Sequence, residues 1–155
     1  MPKALWIEDS ARLELSSLTG PVFFNGTCEL TLAEDVTTAV DLMLAERFAA
    51  IIVDIRLPPG RDPEWGAHYR RTGSNKVNAQ LGLRLLRWLL RVDPTIYSKS
   101  PPDWIRADQI GVFTVESKRE VQQDLDELGI AVFQEKNADI PDNTLDELIR
   151  RLLQN

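Results

Sequence analysis

Five short apolar runs, separated by stretches of helical periodicity, constrain this 155-residue chain more than any other feature. Residues 4–7, 49–53, 110–114 and 131–134 are almost continuously apolar, the pattern of strands buried on both faces; residues 28–33 alternate more and suit an edge. Between them the spacing predicts helices over 10–18, ended near Gly20-Pro21, over 36–48, with Ala39, Val40, Met43 and Leu44 in helical register, and over 78–91, with Leu81, Leu85, Leu86, Leu89 and Leu90 on a wide apolar face. Two further helix starts carry capping boxes, Ser117-Lys118-Arg119-Glu120 and Thr144-Leu145-Asp146-Glu147, opening helices to about 128 and 153. The order is (βα)5. Such alternation calls for right-handed crossovers and a doubly wound parallel sheet, an α/β fold with helices on both faces.

The length suits one domain, 1–155, with a real core. Eighteen basic against 24 acidic residues give a net charge of -6, which opposes contact with polyanionic nucleic acid. Cys28 is the single cysteine, so it reads as a small buried hydrophobe in a reducing, cytoplasmic setting. Met1-Pro2-Lys3 leads into an apolar stretch interrupted by Glu8 and Asp9, unlike a signal peptide, and no segment approaches the roughly 20 apolar residues of a membrane span.

Two connections, at about 57–77 and 92–109, exceed the length of about 12 to 15 residues beyond which loops are uncommon in compact domains, and are expected to be functional or disordered. Trp65, Tyr69, Tyr97 and Trp104 give them more aromatic character than disorder favours, so partial ordering against the domain is expected. His68, the lone histidine, reads as a solvated loop residue. Arg70, Arg71 and Lys76 read as a solvated basic patch or, more sharply, as a docking segment for an acidic partner or a cover over the site.

In an open parallel sheet, ligands bind beyond the carboxyl ends of the strands where strand order reverses; with order 2-1-3-4-5 this lies between the first and third strands. Leu5-Trp6-Ile7-Glu8-Asp9 and Ile51-Ile52-Val53-Asp54 place three carboxylates at that crevice. Acids so crowded suit a hard, oxygen-coordinated cation, and Mg2+, which keeps several waters, matches so few protein ligands.

Taken with two later strand ends, these residues resemble the receiver domain of two-component response regulators. Trp6-Ile7-Glu8-Asp9-Ser10 matches the acidic pair after the first strand, and Ile51-Ile52-Val53-Asp54-Ile55-Arg56-Leu57-Pro58 the phosphoacceptor strand and its aliphatic-proline turn. Gly111-Val112-Phe113-Thr114 matches the strand ending in Thr or Ser, and Val132-Phe133-Gln134-Glu135-Lys136 the strand that carries the lysine. The resemblance implies a flavodoxin-like fold in which Asp54 accepts a phosphoryl group from a histidine kinase or phosphotransfer protein. It further implies Mg2+ held by Glu8, Asp9, Asp54 and the Arg56 carbonyl, Lys136 and Thr114 on the phosphoryl oxygens, and Phe133 as the switch aromatic that reshapes a face for a downstream protein.

The sequence departs from that pattern at Asn137, where proline in a cis peptide is usual, and at Val115, bulkier than the usual small residue. A cis bond before a non-proline costs about 2.5 to 4 kcal/mol, so a trans bond is expected here. Val115 is expected to narrow access to Asp54 and slow transfer. Arg56 and Glu116 are expected to form an exposed ion pair across the site mouth that hinders an attacking water and lengthens the life of the aspartyl phosphate. Three functions compete: a stand-alone phosphoacceptor that is not a turnover enzyme, a receiver-like interaction module that does not cycle phosphate, and a Mg2+-dependent phosphohydrolase. The last would need an acid where Arg56 stands.

Overall fold

The computed structural model describes residues 1–155. Its five strands are β1 (Lys3–Ile7), β2 (Glu29–Ala33), β3 (Ala50–Val53), β4 (Ile110–Thr114) and β5 (Val132–Glu135). They form one sheet in the order β2-β1-β3-β4-β5, and every neighbouring pair is parallel. The expected strand order and sheet type are therefore what the chain adopts. Residues of β1, β3 and β4 are buried almost throughout because both faces are covered, whereas β2 lies on an edge.

The two-residue side-chain period sorts the strand residues into two cores. Leu5, Ile7, Ile51, Val53 and Val112 pack on one face against α2 (Val36–Ala45), α3 (Pro63–Arg71), α5 (Leu81–Leu89) and α6 (Lys118–Leu128). Ala4, Trp6, Ala50, Ile52 and Phe113 pack on the other against α1 (Thr19–Asn25) and α7 (Thr144–Leu153). A four-residue helix, α4 (Lys76–Ala79), immediately precedes α5. No helix is long and apolar enough to cross a membrane.

Four sequence expectations about the helices are corrected. The helix expected over 10–18 is instead a series of turns and a short 3-10 segment, Ser16–Leu18, followed by α1. Gly20-Pro21 begins that helix rather than ending it: Pro21 lies in its first turn, where a missing N–H costs no helical bond. The stop is Gly26, at φ 61, whose N–H returns to the Phe23 and Val22 carbonyls. Likewise α2 ends at Ala45, because the chain turns extended at Glu46 and rejoins the sheet through the Ala49 N–H to the Lys3 carbonyl, 2.8 Å.

The continuous helix expected over 78–91 is broken at Gln80, φ 45. The break lets Gly82 press against β3, its N–H donating to the Ile55 carbonyl at 3.0 Å. At the last helix, the Thr144 capping box does not form: Asn143 is the cap residue, and the Thr144 hydroxyl donates to the Pro141 carbonyl at 2.6 Å. By contrast the Ser117 cap is as expected, with its hydroxyl oxygen accepting the Glu120 N–H.

The first long connection is ordered, and most of it is helix. Asp62 caps α3 through the Glu64 N–H, with Pro63 at the first helical position. Trp65 is fully buried, stacked on Tyr97 from the second connection at 5.2 Å and edge-on to Trp88 of α5 at 6.4 Å. The Trp88 indole N–H donates to the Lys99 carbonyl, which fastens the second connection to α5. Trp104 packs against Phe48. His68 belongs to this satellite core and not to a solvated loop. Its Nε2 lies 2.7 Å from the Ile96 carbonyl, and a carbonyl can only accept, so Nε2 carries the hydrogen. Cys28 is buried as expected, and burial, with the nearby Asp146 charge, pushes its thiol up to about 11.

Candidate functional site

The sheet ladder runs one residue past the strand ends, and that extension sets the site. Beyond β1, the Glu8 N–H donates to the Ala33 carbonyl at 2.8 Å; beyond β3, Asp54 donates to Ile7 at 3.0 Å; beyond β5, Lys136 donates to Thr114 at 2.6 Å. Backbone register thus fixes the roots of Glu8, Asp54 and Lys136 side by side at the carboxyl edge. They open onto a cavity of about 490 Å³ that Asp9, Arg56, Lys76, Val77 and Val115 also line.

Lys136 organises the cavity floor. Its ammonium lies 3.0 Å from Asp54 Oδ2, contacts Glu8 Oε1, and stands 5.6 Å over the Phe113 ring. Glu8 and Asp54 are only 1% and 3% exposed. One ammonium offsets one buried carboxylate, leaving a second charge that burial penalises. Burial and the neighbouring Asp54 charge accordingly push the Glu8 carboxyl up to about 8, against the pull of Lys136. Burial also acts on Asp9, but the hydrogen bonds it shares with Glu8 and Lys76 outweigh that and hold it below the usual carboxylate range.

Carboxylate oxygens of Glu8, Asp9 and Asp54 lie within 4.8 Å of one another, close enough to ligate a single ion. The donor set fits a hard cation, being all carboxylate oxygen with more carboxylates than ammonium groups at the site. Arg56 follows in the same turn, its N–H donating to Asp54 Oδ1 at 3.3 Å.

The other expected site residues divide. Thr114 is fully buried at the end of β4 and does not line the cavity; its hydroxyl oxygen accepts the Glu116 N–H at 3.4 Å. Phe133 is half-buried and packs against the core that α5 and α6 cover. The peptide before Asn137 is trans, and Val115 stands exposed at the cavity mouth. Arg56 Nε meets Glu116 Oε1 at 2.8 Å, as expected, but the pair is not an exposed one: the Glu116 side chain is 5% exposed. Burial raises the Glu116 carboxyl, yet the Arg56 and Glu120 hydrogen bonds leave it below its ordinary range.

Sequence reasoning did not assign Lys76 a partner. In the structure it leaves the basic patch and reaches into the site, Nζ 2.5 Å from Asp9 Oδ2, while Arg70 and Arg71 remain exposed. The available signal was weak: a lysine in a long connection that begins at the phosphoacceptor-like strand.

An open five-stranded parallel sheet with its acids at the switch point defines a doubly wound α/β protein with a carboxylate site. No protein-family model matches the chain, and no curated protein matches its sequence. Solved structures do match. Chemotaxis protein CheY4 of Vibrio cholerae aligns at TM-score 0.62 and 20% identity over 99% of both chains. The non-phosphorylated HemR receiver domain of Leptospira biflexa aligns at TM-score 0.64 and 17% identity, over 100% of this chain and 96% of that one. A CheY-like receiver domain protein of Methanospirillum hungatei aligns at TM-score 0.63 and 17% identity, over 99% and 94%. The fold is the response-regulator receiver fold.

Proposed function

We propose that residues 1–155 form a phosphoacceptor receiver unit, with Asp54 accepting a phosphoryl group from a histidine kinase or phosphotransfer protein. What chiefly supports this reading is the pairing of Lys136 with both Glu8 and Asp54 at the floor of an open cavity. In the transfer, an Asp54 carboxylate oxygen bonds to phosphorus as the bond from phosphorus to the donor breaks. Glu8, Asp9, Asp54 and the Arg56 carbonyl would hold Mg2+, which when bound supplies the positive charge that offsets the repulsion between these acids and the phosphoryl oxygens. Lys136 then pairs with a phosphoryl oxygen. The Thr114 hydroxyl, buried beside Asp54's strand, turns toward the new acceptor oxygens and leaves room for Phe133, which reshapes the α6–β5–α7 face for a downstream protein.

The unit is not a turnover enzyme in this reading. Arg56 stands where a phosphohydrolase would carry a general acid, and its guanidinium is engaged by Glu116. The same pair screens the mouth from water. Arg56→Ala is expected to shorten the life of the aspartyl phosphate severalfold, read as decay after removal of the phosphodonor; equal lifetimes in the two proteins would sink the shielding role.

The test of the function is direct. Incubation with Mg2+ and acetyl phosphate, followed by intact-mass measurement, should give one added phosphoryl that is absent in Asp54→Ala. No gain, with that donor or with a histidine kinase, favours a phosphorylation-independent interaction module, a reading helped by Val115 at the mouth and Lys76 on Asp9.

A further inference from the structure

The proposed cation site already contains a cation of the protein's own. Lys76 Nζ lies 2.5 Å from Asp9 Oδ2, and it arrives from the inserted segment between β3 and α5, whereas Lys136 arrives from the end of β5. Its placement is built rather than incidental. Asn75 caps α4, its side-chain oxygen accepting the Val77 N–H at 2.8 Å. Ala79 is buried, Gln80 takes a left-handed turn at φ 45, and Gly82 sits directly on the Asp54 backbone. These contacts bind the insertion to the end of β3 without help from Lys76, so the lysine is not needed to hold α4 down.

The charges at the site then number three carboxylates and two ammonium groups. Lys136 is 9% exposed and already shared between Glu8 and Asp54, which leaves Asp9 as the carboxylate that Lys76 satisfies. A divalent ion ligated by Asp9 and an ammonium on the same carboxylate repel each other at a few ångströms. The Lys76 side chain, 43% exposed, can swing to water at little cost, whereas Lys136 cannot.

Resting on the reading of Glu8, Asp9 and Asp54 as the cation site, we propose that Lys76 is a competing internal cation: its ammonium occupies Asp9 and is displaced when a divalent metal ion binds. The insertion thereby sets the metal concentration at which the acceptor site becomes charged for phosphoryl transfer.

Titrating the full chain with Mg2+, and separately Mn2+, by calorimetry tests this in wild type, Lys76→Met, Lys76→Gln and Lys76→Arg at one ionic strength. Removing the competing charge should tighten metal binding about tenfold in the Met and Gln variants, while Lys76→Arg keeps the wild-type affinity. Equal or weaker binding by the folded Met and Gln variants overturns the competition and leaves the cation site standing. Absence of metal binding in every protein overturns the site itself, and the proposal with it.

Discussion

Gly82→Ala is expected to destabilise the protein by about 3 kcal/mol or more, although alanine is the better helix former by about 1 kcal/mol. Gly82 lies in α5, where propensity alone predicts a gain. The backbone of β3 reverses that sign: a Cβ on Gly82 would stand 2.0 Å from the Asp54 carbonyl oxygen and 2.7 Å from the Ile55 Cα. Neither atom can yield, because Asp54 N–H is tied to Ile7 at 3.0 Å and the Ile55 carbonyl accepts the Gly82 N–H at 3.0 Å. Relief requires moving α5, and with it Leu81, Leu85, Leu86 and Leu89 in the core. Urea unfolding reads the effect as a lowered midpoint; a midpoint equal to wild type would show that α5 does not press on the acceptor strand as described.

Metal-free protein is expected to lose stability as pH rises from about 6 to 8.5, and Glu8→Gln to remove most of that slope. The Glu8 carboxyl is held up near 8 in the folded state by burial and by Asp54, against 4.5 for the free group. Between those values the folded chain binds a proton that the unfolded chain does not, so this contribution is complete below about 4.5 and is lost as pH rises through about 8. Asp9, Glu116 and Asp146 shift the opposite way, and their contributions are lost only in acid, outside this window. Saturating Mg2+ should flatten the wild-type slope as well, because a bound cation favours ionised Glu8. Thermal midpoints across the pH range, with and without EDTA, measure it. A flat wild-type profile in EDTA would mean that Lys136 alone satisfies both buried acids.

The strands and the heart of the site were legible because each rests on a local signal. A run such as Ala50 to Val53 must be buried on both faces, and polar residues directly after such runs must emerge at one edge of a parallel sheet. The matching positions of Glu8, Asp54 and Lys136 follow from that rule and from the register of Ile7 with Val53 and Thr114 with Glu135. What was not legible depends on contacts between distant segments. Trp65, His68, Tyr97 and Trp88 order two connections through one another, a packing that no single window of sequence carries. Gly20-Pro21 looks the same at the start of a helix as at the end of one. Asp146 sat unnoticed inside a supposed capping box. It is in fact buried, accepting hydrogen bonds from Asn25 at 3.0 Å, Arg150 at 2.9 Å and Thr27, and so joins α7 to the end of α1. The Lys76 contact was beyond reach for the same reason, since only the Gly82 seat on β3 brings that lysine to Asp9.

The central claim is that Asp54 is the acceptor, and trapping the bond itself tests it most directly. Phosphorylated protein treated with borohydride, which reduces an acyl phosphate to the alcohol, and then mapped by peptide mass should show homoserine in place of Asp54 in the peptide that carries Ile52 and Val53. Conversion at any other residue, or none in protein that has gained a phosphoryl group, would contradict the account.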